Sequence, residues 1–120
     1  MKKRVLVVDD AAFIRMLLKK TLEELDFEVV AEAKSGKDAV IFYDHYKPDI
    51  VTMDLSMPDM DGIEATKKII EKDIAAKIII FSAIGQKRKI IESLEAGAKD
   101  FILKPLDKDN IFIKINEIVN

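Results

Sequence analysis

No cysteine occurs among the 120 residues, which excludes a disulfide framework, thiolate catalysis and sulfur-ligated metal together. An excess of charge of either sign is also missing. Lys and Arg number 20 against 22 Asp and Glu, for a net charge of −2, so the field of the whole molecule draws neither nucleic acid nor an anionic membrane. Any function that uses charge is local. Long apolar runs are absent too. The opening MKKRVLVVDD has two lysines and an apolar stretch, but that stretch stops after about four residues at two aspartates, far short of a signal-peptide core. No segment approaches a membrane span. The simplest setting is a reducing cytoplasm. A chain of this length makes about one ordinary domain and leaves no room for separate catalytic and substrate domains.

What the chain does have is a regular alternation. Short apolar, β-branched runs at Val5 to Val8, Phe27 to Ala31, Ile50 to Met53, Lys77 to Phe81 and Phe101 to Leu103 alternate with stretches of helical period, the pattern of a parallel α/β sheet covered on both faces. Ile14, Leu17, Leu18, Thr21, Leu22 and Leu25 predict the first helix by their recurrence on one face. Ser35 and Asp38 read as a capping box, after which Ala39, Phe42, Tyr43 and Tyr46 give the second helix its stripe until Lys47-Pro48 ends it. Gly62 to Lys72, with Ile63, Thr66 and Ile70 facing in, predicts the third helix. Ile90, Ile91 and Leu94 predict a fourth before Gly97, and Ile111, Phe112, Ile115, Ile118 and Val119 a fifth.

Ligands of an open parallel sheet bind beyond the carboxyl ends of its strands, where the strand order reverses. The polar residues at those ends are Asp9 and Asp10 after the first run, Asp54 after the third, Ser82 after the fourth and Lys104-Pro105 after the fifth. In a flavodoxin-like, doubly wound sheet of order 2-1-3-4-5 with five helices, the first and third strands are neighbours, which brings Asp9, Asp10 and Asp54 together. Carboxylates so close must bind a cation, stay partly protonated or cost stability. An all-oxygen set favours a hard cation, and Mg²⁺ suits a small site completed by water and a phosphoryl oxygen. Such an ion permits Asp54 to act as a nucleophile toward a phosphoryl group, with Lys104 supplying positive charge and Ser82 a hydroxyl donor.

The segments VLVVDDAAFIR, DIVTMDLSMPDMDG, IIIFSA and AGAKDFILKP stand in this order along essentially the whole chain. In their combination the chain resembles a response regulator receiver domain, specifically a stand-alone chemotaxis regulator of the CheY type. The resemblance implies a single receiver domain over residues 1–120 with no output domain. It also implies that Asp54 is the phosphoacceptor, and that Asp9, Asp10 and Asp54 hold Mg²⁺ with the main-chain carbonyl of Ser56. Ser82 and Lys104 would contact the phosphoryl group, Lys104-Pro105 would be a cis peptide, and Ser82 and Phe101 would be the residues that move on switching. The partners it implies are a sensor histidine kinase and a motor switch or adaptor protein in chemotaxis, met through the fourth helix, fifth strand and fifth helix of a cytoplasmic monomer. Such a protein catalyses its own phosphoryl transfer and is not a metabolic enzyme. The chain departs from the family at Ser82, where Thr is common, and at Leu106, where an aromatic is common. Ser56 and Ile84 fall at positions that influence dephosphorylation, and apolar Ile84 has no group to orient a water, so slow intrinsic dephosphorylation is expected.

Three other readings share features of the pattern. A Mg²⁺-dependent phosphatase of the haloacid dehalogenase type also uses a strand-end Asp, but needs an acid/base carboxylate two residues later, where this chain has Ser56. An FMN carrier of the same fold class would place a phosphate at the first turn, where Asp9 and Asp10 repel it. An inactive scaffold does not need the full set of site residues. Within the receiver reading, a phosphorelay intermediate that passes its phosphoryl group to a histidine phosphotransfer protein is the alternative output. Ile84, Lys87, Arg88, Lys89, Phe101 and Ile113 together suggest an apolar and basic partner surface, although a basic trio at a helix start is more often only a solvated face.

Overall fold

The computed structural model describes residues 2–57 and 60–119, so that Pro58 and Asp59 of the second segment lie outside the described residues. The elements follow in strict alternation: β1 (Arg4–Val8), α1 (Ala12–Glu24), β2 (Glu28–Ala33), α2 (Gly36–Tyr46), β3 (Ile50–Asp54), α3 (Gly62–Lys72), β4 (Ile78–Ser82), α4 (Lys87–Glu95), β5 (Asp100–Leu103) and α5 (Lys108–Val119). All strand pairs are parallel, and the sheet runs β2-β1-β3-β4-β5, the order expected. Because every strand points the same way, all carboxyl ends lie along one edge, and the order reverses between β1 and β3.

The side-chain period of two along each strand divides the core. Leu6, Val8, Val51, Met53, Ile78 and Ile80 face α2, α3 and α4, where they meet Ala39, Tyr43, Ala65, Ile69 and Ile90. Val5, Val7, Ile50, Ile79 and Phe81 face α1 and α5, where they meet Leu18, Leu22, Ile111, Ile115 and Val119. Each residue of β3 and β4 is buried, which accounts for their unbroken hydrophobicity.

Several local expectations are corrected. The second strand starts one residue later and ends two later than its apolar run, and only Ala33 within it is buried. It is an edge strand with a single neighbour, so its apolar content reflects one covered face. The fully buried residues of α3 are Gly62, Ala65, Thr66 and Ile69, while Ile63 and Ile70 also face in, half-buried and packed against the same core. Small residues turn toward the sheet because the helix begins against it: a Cβ on Gly62 would fall on the carbonyl oxygen of Asp54. In α4 only Ile90 and Ser93 are buried, and Ile91 and Leu94 are exposed, as is Phe112 on α5. A short helix on one layer of sheet covers a narrower stripe than these sequences supply.

The caps agree better. Ser35 Oγ accepts from Asp38 N at 3.1 Å, and α2 ends on Lys47 in the left-handed region at φ 49°, just before Pro48. Tyr43 donates its hydroxyl to Asp73 Oδ2 at 2.7 Å, fixing α2 to the end of α3.

Candidate functional site

Three aspartates meet at the carboxyl edge of the sheet. Carboxylate oxygens of Asp9, Asp10 and Asp54, one from each, lie within 4.8 Å of one another. Their surroundings differ. Asp9 is 3% and Asp54 7% exposed, whereas Asp10 is on the surface. The turn after β1 is held by its own polar groups. Asp9 Oδ1 accepts from Ala11 N at 2.9 Å, and the Asp9 carbonyl accepts from Arg15 Nη1 at 2.7 Å. Ala11 occupies the N-cap of α1, so Asp10 is not spent on capping. Arg15, which also pairs with Glu32 at 3.3 Å, carries no sequence signal of this task beyond standing on the first helix turn. Asp10, Leu55, Ser56, Met57, Asp61 and Lys89 line one open groove of about 500 Å³.

Lys104, after β5, reaches across the edge to both buried carboxylates. Its Nζ stands 3.2 Å from Asp9 Oδ2 and 3.2 Å from Asp54 Oδ1. Lys104 N donates to the Ser82 carbonyl at 2.8 Å, prolonging the β4–β5 pairing to the residue that must reach in. The peptide that follows, Lys104-Pro105, is cis, as the resemblance implied. Burial and the neighbouring Asp9 push Asp54 up to about 6, against the pull of Lys104. Burial works against the Lys104 ammonium, but Asp54 and Asp9 outweigh it and its pKa rises. Among the described residues, one ammonium in contact with a cluster of three carboxylates leaves an excess of negative charge in a partly dry cleft. This hard, all-oxygen donor set fits a small divalent cation.

Ser82 is wholly buried and its hydroxyl is not turned to the aspartates. Ser82 Oγ lies 2.7 Å from Gln86 Oε1 and 3.0 Å from the Ala83 carbonyl, and its single proton belongs to the closer acceptor. Gln86 Oε1 also accepts from Ala83 N at 3.1 Å, and Gln86 Nε2 donates to Ser56 Oγ at 3.0 Å. Gln86 is therefore a member of the site that the residue pattern did not reveal. Its one signal is a carboxamide four residues after a strand-end hydroxyl, just past a glycine.

Beyond Ser82, α4, β5 and the loop before α4 enclose a groove of about 390 Å³, lined by Ile84, Lys87, Ile90, Ile91, Leu94, Phe101 and Leu103 among others. Phe101 is half-buried there, with the Lys114 ammonium 5.0 Å from its ring centroid and 3.1 Å from Asp100 Oδ1. Of the expected surface patch, Ile84, Lys87 and Phe101 share this groove. Arg88 and Ile113 are exposed outside its lining, and Lys89 turns to the aspartate side. The basic trio is split because successive helix residues are about 100° apart.

The comparisons with known proteins agree with this geometry. The model of the response regulator receiver domain matches residues 5–116. The chain is 51% identical over 120 residues to the chemotaxis protein CheY of Bacillus subtilis, covering 100% of both chains. It is 51% identical over 118 residues to CheY of Thermotoga maritima, covering 98% of both. Among solved structures, the response regulator domain of Thermotoga maritima CheB matches at TM-score 0.92 and 39% identity, over 100% of this chain and 98% of that one. A chain of the CheX-CheY-BeF₃-Mg²⁺ complex from Borrelia burgdorferi matches at TM-score 0.92 and 38% identity, over 98% of this chain and 90% of that one. Receiver domains bind Mg²⁺ in an acidic pocket, and an aspartate cluster is present here. With the receiver-domain model matching residues 5–116 and half its residues shared across the full length of CheY proteins, the chain belongs to the response regulator receiver domain family, as a CheY-type member of two-component signalling in chemotaxis.

Proposed function

We propose that this protein is a phosphorylation-activated switch in the cytoplasm, in which Asp54 accepts a phosphoryl group from the phosphohistidine of a sensor kinase. The observation that carries the reading is the convergence of Lys104 with Asp54 and Asp9, 3.2 Å from each. Asp54 is the central buried carboxylate, placed at the end of a fully buried strand, and with its pKa at about 6 it is mostly ionised at neutral pH and able to attack. A carboxylate oxygen forms the new bond to phosphorus as the P–N bond breaks, and the departing imidazole takes a proton from solvent. Lys104 holds positive charge where the phosphoryl oxygens arrive.

Asp9, Asp10 and Asp54, with the Ser56 carbonyl, are the groups that would hold Mg²⁺. When bound, the ion neutralises negative charge between these carboxylates and the phosphoryl group. In the phosphorylated chain the Ser82 hydroxyl donates to a phosphoryl oxygen, and Phe101 moves into the space released. The face made by α4, β5 and α5 then binds a motor switch or adaptor protein. The complex of Borrelia burgdorferi CheY with CheX, BeF₃ and Mg²⁺ supports a protein as the partner. Phosphorylation adds close to two negative charges beside Lys104, a sufficient source of the differential free energy that a population shift requires.

Incubation with acetyl phosphate, followed by intact mass, tests the chemistry. The native chain should gain one phosphoryl group with Mg²⁺, none with chelator, and none as Asp54→Asn. Continuous phosphate release without a labelled protein would instead support a phosphatase, and no gain under any condition, with kinase included, would sink the proposal.

A further inference from the structure

Two donors at the end of β4 converge on one oxygen. Ser82 Oγ donates to Gln86 Oε1 at 2.7 Å, and Ala83 N donates to the same atom at 3.1 Å. A main-chain N–H only donates, so the Gln86 carboxamide must present its oxygen to β4 and its NH₂ away from it. That NH₂ donates to Ser56 Oγ at 3.0 Å. The side chain reaches back because Gly85 adopts φ +98°, a conformation open to glycine and strained for other residues. Gln86 stands at the N-cap of α4 yet makes no capping bond. Its polar atoms serve the loops that follow β3 and β4 instead of its own helix.

An oxygen that accepts from a hydroxyl and a main-chain amide at this strand end occupies the donors that a phosphoryl oxygen on Asp54 would recruit. We propose that Gln86 is a positioning residue that latches the switch in its resting state, its Oε1 standing in for the phosphoryl oxygen at Ser82 and Ala83 while its NH₂ ties them to Ser56. The proposal rests on the phosphoacceptor reading of Asp54. Ser82 has one hydroxyl proton, and while Gln86 Oε1 at 2.7 Å holds it, with the Ala83 carbonyl at 3.0 Å as the other acceptor in reach, it does not serve the phosphoryl group. Ser82 is 0% exposed, and a buried hydroxyl without a partner is costly; the exchange therefore runs between buried acceptors and not through a solvated intermediate. Leaving the latch frees Gln86, the residue immediately before α4, and with it the entry to the helix whose Ile90, Ile91 and Leu94 line the groove. Asp54 and the groove are thereby coupled through one side chain.

Beryllofluoride with Mg²⁺, a tetrahedral mimic of a phosphoryl group on a carboxylate, is the probe. It is titrated into the native chain, Gln86→Ala, Gln86→Glu and the exposed control Arg88→Ala. Exchange of the Ala83 amide hydrogen is followed in the same proteins without the mimic, and thermal unfolding verifies that each is folded. Gln86→Ala is expected to bind the mimic about fivefold more tightly, the worth of one neutral hydrogen bond removed from the resting state, and its Ala83 amide to exchange faster. Gln86→Glu keeps the acceptor and adds charge, so it should bind more weakly than native with Ala83 at least as protected, and Arg88→Ala should match native. Equal affinity of native and Gln86→Ala overturns the proposal, as does an Ala83 exchange rate indifferent to residue 86. Native chain that does not bind the mimic at all overturns the reading of Asp54 and the competition with it, while the Ala83 exchange still reports whether the contact holds the loop.

Discussion

Lys104 Nζ lies 3.2 Å from Asp54 Oδ1, although the two residues are 50 positions apart in the chain and end strands that are not neighbours, since β4 stands between β3 and β5. The same ammonium touches Asp9, so one cation serves two buried anions. Lys104→Met leaves both carboxylates facing each other in a dry cleft. The expected result is an Asp54 titration midpoint above the native value, read from its side-chain carboxyl carbon by NMR, with a loss of about 1–3 kcal/mol of stability at neutral pH. A midpoint that stays or falls would show that the ammonium does not act on Asp54.

The raised pKa of Asp54 gives stability a definite pH dependence. It stands at about 6 in the folded chain against an ordinary 3.8, so between those values the folded state binds more protons than the unfolded one. Stability from this group is complete below the lower value, declines as pH rises through the window and is level above it. Asp54→Asn removes the ionisation. Without divalent cations it should be more stable than native by about 1–3 kcal/mol above pH 6 and nearly equal at about pH 4. Urea unfolding at the two pH values measures this. Adding Mg²⁺ at neutral pH should then stabilise the native chain and not the variant.

Apolar runs revealed the strands because β3 and β4 are covered on both faces, and the strand-end residues revealed the aspartates and Lys104 because a parallel sheet gathers its carboxyl ends. Other features were hidden for physical reasons. Edge strand β2 is apolar for one face only, and its run did not mark its ends. Ile91, Leu94 and Phe112 carry the signature of core residues yet are exposed, since hydrophobicity does not distinguish a face turned to the sheet from one left at the surface. Gln86 was invisible because its role depends on a turn at Gly85 that folds it back on Ser82, a tertiary relation with no periodicity.

Gly62 ties packing to the site without contributing a side chain. Its amide donates to the Leu55 carbonyl at 2.9 Å, and a Cβ there would meet the backbone of Asp54 and Leu55. Backbone cannot rotate aside as a flexible side chain can. Gly62→Ala should cost about 2–4 kcal/mol in urea unfolding and slow phosphorylation of Asp54 by acetyl phosphate, even at temperatures where the variant is fully folded. A neutral outcome in both would mean that α3 can shift without moving the end of β3.

The proposed partner face at the groove between α4 and β5 lets output be tested apart from phosphorylation. Ile91 is 47% exposed on its wall, 37 residues after Asp54 in the chain and outside the aspartate cluster. A charge placed there removes apolar contact area from a partner while adding nothing to the acceptor site. Ile91→Asp should therefore change unfolding free energy by no more than about 0.5 kcal/mol, the usual range for surface substitutions, and should take up a phosphoryl group at the native rate. Binding of the phosphorylated chain to the proposed motor switch or adaptor protein, followed by calorimetry, should weaken at least tenfold, about 1.4 kcal/mol. Undiminished binding would place the partner on another face of the molecule, and a slowed phosphorylation would mean that α4 already participates in the resting site through Gln86.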